Sequence, residues 1–420
     1  MGSTDMSRRG VIIGLCATPG VALARGRAAK AFTKTGLASV ETVLRKHIAA
    51  GYAPGLVALI GRGTEVVPFV LGSLEFERER PAQRDSIFRI ASMTKPITAV
   101  AALMLAERGV FKLSDPVDTL LPELADRKVM RHPDGPLDDV VPAERPITIE
   151  DLLTFRFGHG ISLDERPTAL QQAVSGLPGF GMPDPTSPLT PDAWMKRIGA
   201  LPLAAQPGSR WSYSTGSDVL GVLIARAAKK PLGEVFRERI FDPLGMSDTG
   251  FAVSPAQIKR LATGYLAQDG KLSVFDRPDG AYAHEPSFPE GDSGLVSTAT
   301  DYMRFARFLM SGLDAQGRRL LSGKSIAAMT RNHLTAEQMK TAGIILGDKG
   351  WGYGVGVAVA PTADGLRAGA YGWNGGFGTS WLNDPAADLT AILLTNRYFD
   401  GPDTPPIHTE FRHATYAALS

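Results

Sequence analysis

Ser92 and Lys95 stand three residues apart in the segment RIASMTKPITAV, Arg89 to Val100. On one turn of helix that spacing puts both side chains on the same face, close enough to touch. A serine hydroxyl is a weak nucleophile at neutral pH and must give up its proton as it attacks. A lysine can accept that proton if its pKa falls, which burial and nearby positive charge both favour. The flanking residues fit burial: Ile87, Phe88, Ile90 and Ala91 lead in, and Ile97, Val100, Ala101, Leu103 and Met104 follow. Pro96 suits a first turn, where its missing N–H has no partner to lose. A helix that starts at Ser92 also aims backbone N–H groups at any anion formed there. The tetrapeptide by itself fits equally well a serine that caps a helix and a lysine that reaches solvent.

A second segment, PGSRWSYSTGSDVLG from Pro207 to Gly221, sets Tyr213 at a loop-to-helix junction where a phenol can face a cleft. A third, YGWNGGFGTSW from Tyr371 to Trp381, crowds Gly372, Gly375, Gly376 and Gly378 into the approach to a strand. Glycines there let backbone come close to a ligand. Read singly, Tyr213 and Trp373 fit packing aromatics just as well. His159, in FGHG, is placed like a catalytic histidine, but a serine, lysine and tyrosine together have no need of one.

Composition narrows the chemistry further. The chain has 420 residues, 44% hydrophobic and 21% charged, enough for one large domain or two smaller ones. Net charge is +2 from 45 basic and 43 acidic residues with no long run of either sign, which argues against nucleic acid or another polyanion as partner. The single cysteine, Cys16, cannot form an intramolecular disulfide, and the seven histidines are scattered without metal-site spacing. No complete G-x-G-x-x-G or Walker A loop is present. The expectation is a small-molecule substrate with no metal and no cofactor. Oligomeric state is not written in these features.

The elements that must position these residues follow from patterning. Residues 1–24 read as an export leader of the twin-arginine type: Arg8 and Arg9, a short apolar stretch, then ALA at Ala22 to Ala24. That stretch is too short to span a bilayer and contains Pro19 and Gly20. With such a leader the protein is periplasmic or exported; without it, cytoplasmic. After a linker over 25–36, Leu37 to Ala50 has helical periodicity. Runs from Leu56 and Glu65 read as a hairpin turning at Arg62 and Gly63. Residues 86–284 are mainly helical, broken by a Pro- and Gly-rich loop from Leu177 to Pro191, of a length that is often functional. Strand patterns return in WGYGVGVAVA, GTSWLND and LTAILLTN. Strands at both chain ends with helices between them predict an α/β (α+β) architecture: one antiparallel sheet over 37–85 and 285–420, flanked by helices, with a helical subdomain at 86–284 and the site between the two.

In order, Ser-x-x-Lys, Tyr-Ser-Thr and Trp-Asn-Gly resemble the three motifs of the serine β-lactamase and penicillin-binding protein superfamily, and more narrowly the class C-like esterases of family VIII. The stretches GVFKLSDPVDTLLP, ITIEDLLTFRFG, IFDPLGMSDTGF, GDSGLVSTATDYMRF and LLTN are similar too. The resemblance implies a serine β-lactamase-like fold, Ser92 as the acylated nucleophile, Lys95 as its base and Tyr213 as the group that protonates the leaving alcohol. It implies an oxyanion hole from the backbone N–H groups of Ser92 and Gly376, and substrate contacts from Trp373, Asn374, Gly375 and Thr215. Two departures narrow it: Trp373 replaces the lysine of Lys-Thr-Gly, and Thr215 replaces the asparagine of Tyr-x-Asn. Loss of a charged hydrogen bond, worth about 1.5–3 kcal/mol, shifts preference from anionic β-lactams toward neutral esters. Arg397 is then a replacement cation. The implied activity is hydrolysis of short-chain carboxylic esters through a Ser92 acyl-enzyme, with weak β-lactam hydrolysis. An acyltransferase, a β-lactamase or D,D-peptidase-like enzyme, and a non-catalytic binding protein are the alternatives.

Overall fold

The computed structural model describes residues 1–2, 31–161, 168–268, 271–401 and 403–419. Cys16 and all of the expected leader beyond its first two residues fall outside them. Helix α1, Lys34–Ala49, begins three residues earlier than the periodicity predicts, inside the stretch expected as linker. The cause is Thr33, whose hydroxyl accepts from the Gly36 N–H and caps the helix.

Strands β1, Gly55–Arg62, and β2, Glu65–Gly72, form the expected hairpin, but Arg62 pairs opposite Glu65, so the turn is Gly63 and Thr64, one residue later than expected. The remaining strands of the sheet come from the other end of the chain: β3 Gly350–Trp351, β4 Gly356–Val357, β5 Tyr371–Gly375, β6 Thr379–Asp384 and β7 Leu389–Thr395. The order across the seven-stranded sheet is β2-β1-β7-β6-β5-β4-β3, with every neighbouring pair antiparallel. β1 and β7 are buried along their whole length, so both read as apolar runs rather than as alternating patterns.

The pleat divides their side chains between two layers. Leu56, Ala58, Ile60, Ala391 and Leu393 pack with Val40 and Leu44 of α1 and with Ile407 and Phe411 of the C-terminal helix. Val57, Leu59, Ile392 and Leu394 join the larger core on the other face. That core holds α2, Lys95–Glu107, α3, Gly216–Ala228, and α4, Ala299–Ser311; the C-terminal helix is α5, Pro406–Ala417. Every residue of α2 from Lys95 to Leu105 is buried. Among the described residues no helix is long and apolar enough to cross a membrane.

Candidate active site

Ser92 lies in a 3-10 turn, Ala91–Thr94, that runs straight into α2, so the serine precedes the α-helix rather than starting it. Ala91, just before it, has φ 41°, a left-handed conformation that a side chain disfavours. Tertiary bonds hold it there: Ile90 N–H donates to Leu295 O at 2.9 Å, and Leu295 N–H donates to Thr94 Oγ1 at 3.2 Å. On the sheet side, Gly375 of β5 packs so tightly that a Cβ would stand 2.1 Å from Ile90 O and 2.2 Å from Thr379 Oγ1. Gly375 therefore serves by having no side chain, and its close approach fixes the spacing between Ser92 and the neighbouring Gly376.

The predicted pair meets. Lys95 Nζ donates to Ser92 Oγ at 2.9 Å, and Tyr213 Oη donates to the same oxygen at 2.9 Å. Lys95 is fully buried, as expected, but its neighbours are anionic rather than cationic. Burial pulls the ammonium down, yet Tyr213, Asp292 and Asp218 outweigh it and hold the group above its ordinary value. The expected lowering of the Lys95 pKa is thus reversed by local charge.

Tyr213 sits in an aromatic box. Phe155, Trp211, Trp351 and Trp373 have ring centroids 6.0, 5.7, 6.4 and 5.8 Å from its own, and Lys95 Nζ lies 4.5 Å from its centroid. Trp373 Nε1 donates to Tyr213 Oη at 2.7 Å, so the indole acts on the phenol as well as lining the cleft. The backbone on either side is pinned: Ile161 N–H donates to Tyr213 O at 2.9 Å, and Ser214 is held at φ 84°.

Ser92, Tyr213, Trp373, Asn374 and Gly376 line one cleft of about 480 Å³. Ile161, Met182, Pro183, Ile345 and Phe399 supply much of its apolar wall. Asn374 Oδ1 accepts from Ser380 Oγ at 2.9 Å and Arg412 Nη2 at 2.7 Å, which leaves the amide nitrogen to a ligand.

Two expectations are corrected. Thr215 is fully buried and does not line the cleft; its hydroxyl donates to Gly179 O at 2.8 Å and anchors the proline-rich loop from beneath. Arg397 offers no free cation, since its guanidinium is bound to Asp400 at 2.6 Å and lies over the Tyr52 ring at 4.6 Å. Among the described residues, the cation in the cleft wall is Lys349, bonded to Asp364 at 3.1 Å. His159 is buried beside Phe180, with Nδ1 accepting from the Gly160 N–H. Burial, aided by Arg127, pushes it down to about 4, so it stays neutral.

The family model described as Beta-lactamase matches residues 40–412. The chain belongs to the β-lactamase family. Among its relatives, Protein Rv1367c of Mycobacterium tuberculosis is 36% identical over 367 residues, covering 84% of this chain and 88% of that protein. Esterase EstB of Burkholderia gladioli is 32% identical over 393 residues, covering 86% and 91%. The solved structure of EstCE1, a hydrolase with promiscuous acyltransferase activity, superposes with a TM-score of 0.76 at 26% identity and covers 91% of this chain and 98% of that one.

Within the β-lactamase family fold, several residues of this cleft escape motif reading. Phe155, Trp211 and Trp351 look like ordinary core aromatics until the fold brings them around Tyr213. Tyr398 lies over Gly376, with ring atoms 3.1–3.3 Å from where a Cβ would be. Asp292 stands in the quoted stretch GDSGLVSTATDYMRF, but nothing local in sequence links it to Lys95, which it contacts.

Proposed function

We propose that this protein is a serine hydrolase that cleaves short-chain carboxylic esters through an acyl-enzyme on Ser92. The observation that carries the reading is the position of Ser92 Oγ, 2.9 Å from both Lys95 Nζ and Tyr213 Oη at the wall of a cleft sized for a small ester. Ser92 Oγ attacks the ester carbonyl carbon as its proton passes to the Lys95–Tyr213 pair. Tyr213 enters the reaction as the phenolate, its own proton lost to solvent, and is stabilised by the Trp373 Nε1–H bond and the adjacent Lys95 ammonium; its oxygen then accepts the Ser92 proton and Lys95 remains the cation. The backbone N–H groups of Ser92 and Gly376 take the developing oxyanion. Collapse breaks the bond to the leaving oxygen, which takes the proton from Tyr213. Water then repeats the sequence on the acyl-enzyme.

The relatives named as esterases support hydrolysis. Acyl transfer to an alcohol is the second reading, favoured by EstCE1 and by the relatives named as acyltransferases. An indole in place of a lysine in the third motif supports weak β-lactam hydrolysis at most. The twin-arginine leader points to export; a mature N-terminus near residue 25 in a periplasmic fraction supports it, and an intact N-terminus in the cytosol overturns it.

Intact mass after exposure to a serine-reactive phosphonate, on wild type and Ser92→Ala, tests the nucleophile alongside hydrolysis of acetyl, butyryl and octanoyl p-nitrophenyl esters. One adduct lost together with activity in the variant is expected; an adduct that persists overturns the assignment. Product analysis with a competing alcohol separates hydrolysis from transfer.

A further inference from the structure

Three buried carboxylates, Asp218, Glu290 and Asp292, gather with their oxygens within 4.8 Å of one another directly behind Lys95. An ammonium has three hydrogens to place. One goes to Ser92 Oγ at 2.9 Å; Tyr213 is also within hydrogen-bonding reach, and Asp292 offers two acceptors, its backbone oxygen at 3.1 Å and its Oδ2 at 3.5 Å. Asp292 is itself fixed: Ser214 Oγ donates to Oδ2, Ser293 Oγ donates to Oδ1, and the Asp292 N–H donates to Asp218 Oδ1 at 3.1 Å. The Ser214 bond also accounts for the left-handed backbone next to Tyr213, because it ties that turn to the same carboxylate.

We propose that Asp292 is a positioning residue for the chemistry of Ser92: it aims the Lys95 ammonium at Oγ and keeps it charged. The proposal rests on the serine hydrolase reading above. The groups facing Lys95 are Tyr213 from the loop before α3, Asp218 from α3, Asp292 with Glu290 behind it from the turn before residues Val296–Thr298, and Tyr398 after β7. Asp218 is raised well above the carboxylate range by burial and by Asp292 and Glu290, and it acts on Lys95 by charge at a distance rather than through a contact. That leaves Asp292 as the carboxylate in direct contact with Lys95.

The test compares wild type with Asp292→Asn and Asp292→Glu, with Ser92→Ala as a separate control, on p-nitrophenyl acetate over a pH series. With Asn, phosphonate still labels Ser92, kcat falls by about tenfold with KM little changed, and the limb of the kcat/KM profile set by Lys95 moves to lower pH by about one unit or more, as expected for loss of a contacting opposite charge. With Glu, the limb returns toward its wild-type position. A limb that stays in place in a folded Asp292→Asn variant overturns the proposal and reduces Asp292 to packing. If Asn does not fold, Asp292→Ser, also neutral, decides by the same limb. Retained activity or labelling in Ser92→Ala defeats the serine reading instead, and is visible apart from anything Asp292 does.

Discussion

The indole Nε1–H of Trp373 donates to the phenol oxygen of Tyr213 at 2.7 Å, across a distance the fold closes between β5 and the loop before α3. In the position where the wider superfamily has a lysine, the donor is a neutral N–H held by packing against Trp351 at a 4.8 Å centroid distance.

Trp373→Phe keeps most of the ring packing and removes that donor. A hydrogen bond to a charged group is worth about 1.5–3 kcal/mol, and losing it leaves less of Tyr213 as the accepting phenolate, so kcat should fall by roughly tenfold to a hundredfold with a smaller change in KM and thermal stability. Steady-state kinetics beside a thermal melt read both; a change in KM alone would make the indole a substrate contact only.

Gly375→Ala puts a methyl group where Ile90 O and Thr379 Oγ1 leave no room. The strand must retreat from the turn bearing Ser92, so hydrolysis should drop by at least tenfold along with melting temperature. An active, stable variant would show that β5 does not set the position of the serine.

Thr215→Val leaves Gly179 O without its donor in a buried setting. The unmade bond should cost about 1–3 kcal/mol. Because Met182 and Pro183 of the same loop line the cleft, KM for longer acyl chains should change more than KM for acetate. Equal effects on all chain lengths would separate the anchor from the cleft wall.

Glu290→Gln tests the buried cluster through stability. Burial, then Asp292, pushes the Glu290 carboxyl up to about 8 from an ordinary 4.5. Between those values the folded chain holds a proton that the unfolded chain releases, so this contribution is fully present below pH 4.5 and is lost as pH rises through 8. Melting temperature of the Gln variant relative to wild type should therefore climb from pH 5 to pH 8. Parallel curves would show that Glu290 is ionised in the fold.

The parts of this site legible in sequence are those in which local pattern and chemistry coincide. Ser92 and Lys95 share a turn, and the apolar residues after them announce a buried helix; β1 and β7 read as strands because both their faces are covered. Thr215 and Arg397 were misplaced by motif position because neighbouring residues in a turn point in different directions: Tyr213 faces the cleft and Thr215, two residues on, faces the core. Asp292 and Lys349 act through contacts distant in the chain, and only the fold makes those. The sign of the Lys95 shift was equally hidden, since it depends on which charges lie behind the ammonium.

The pairing of β1 with β7 also dictates when this protein becomes an enzyme during its manufacture. Leu56 leaves the ribosome early, but its partner Thr395 is made near the end, and β5 and β6 with Gly375 and Gly376 come only shortly before. Until then the apolar β1–β2 hairpin has an open edge, a surface that invites aggregation or a chaperone. A message cut short between Tyr213 and β7 yields a chain that carries Ser92, Lys95 and Tyr213 but lacks the strand that joins the β1–β2 hairpin to the rest of the sheet. Activity therefore arrives in one step, late in synthesis, and not in proportion to the length already translated.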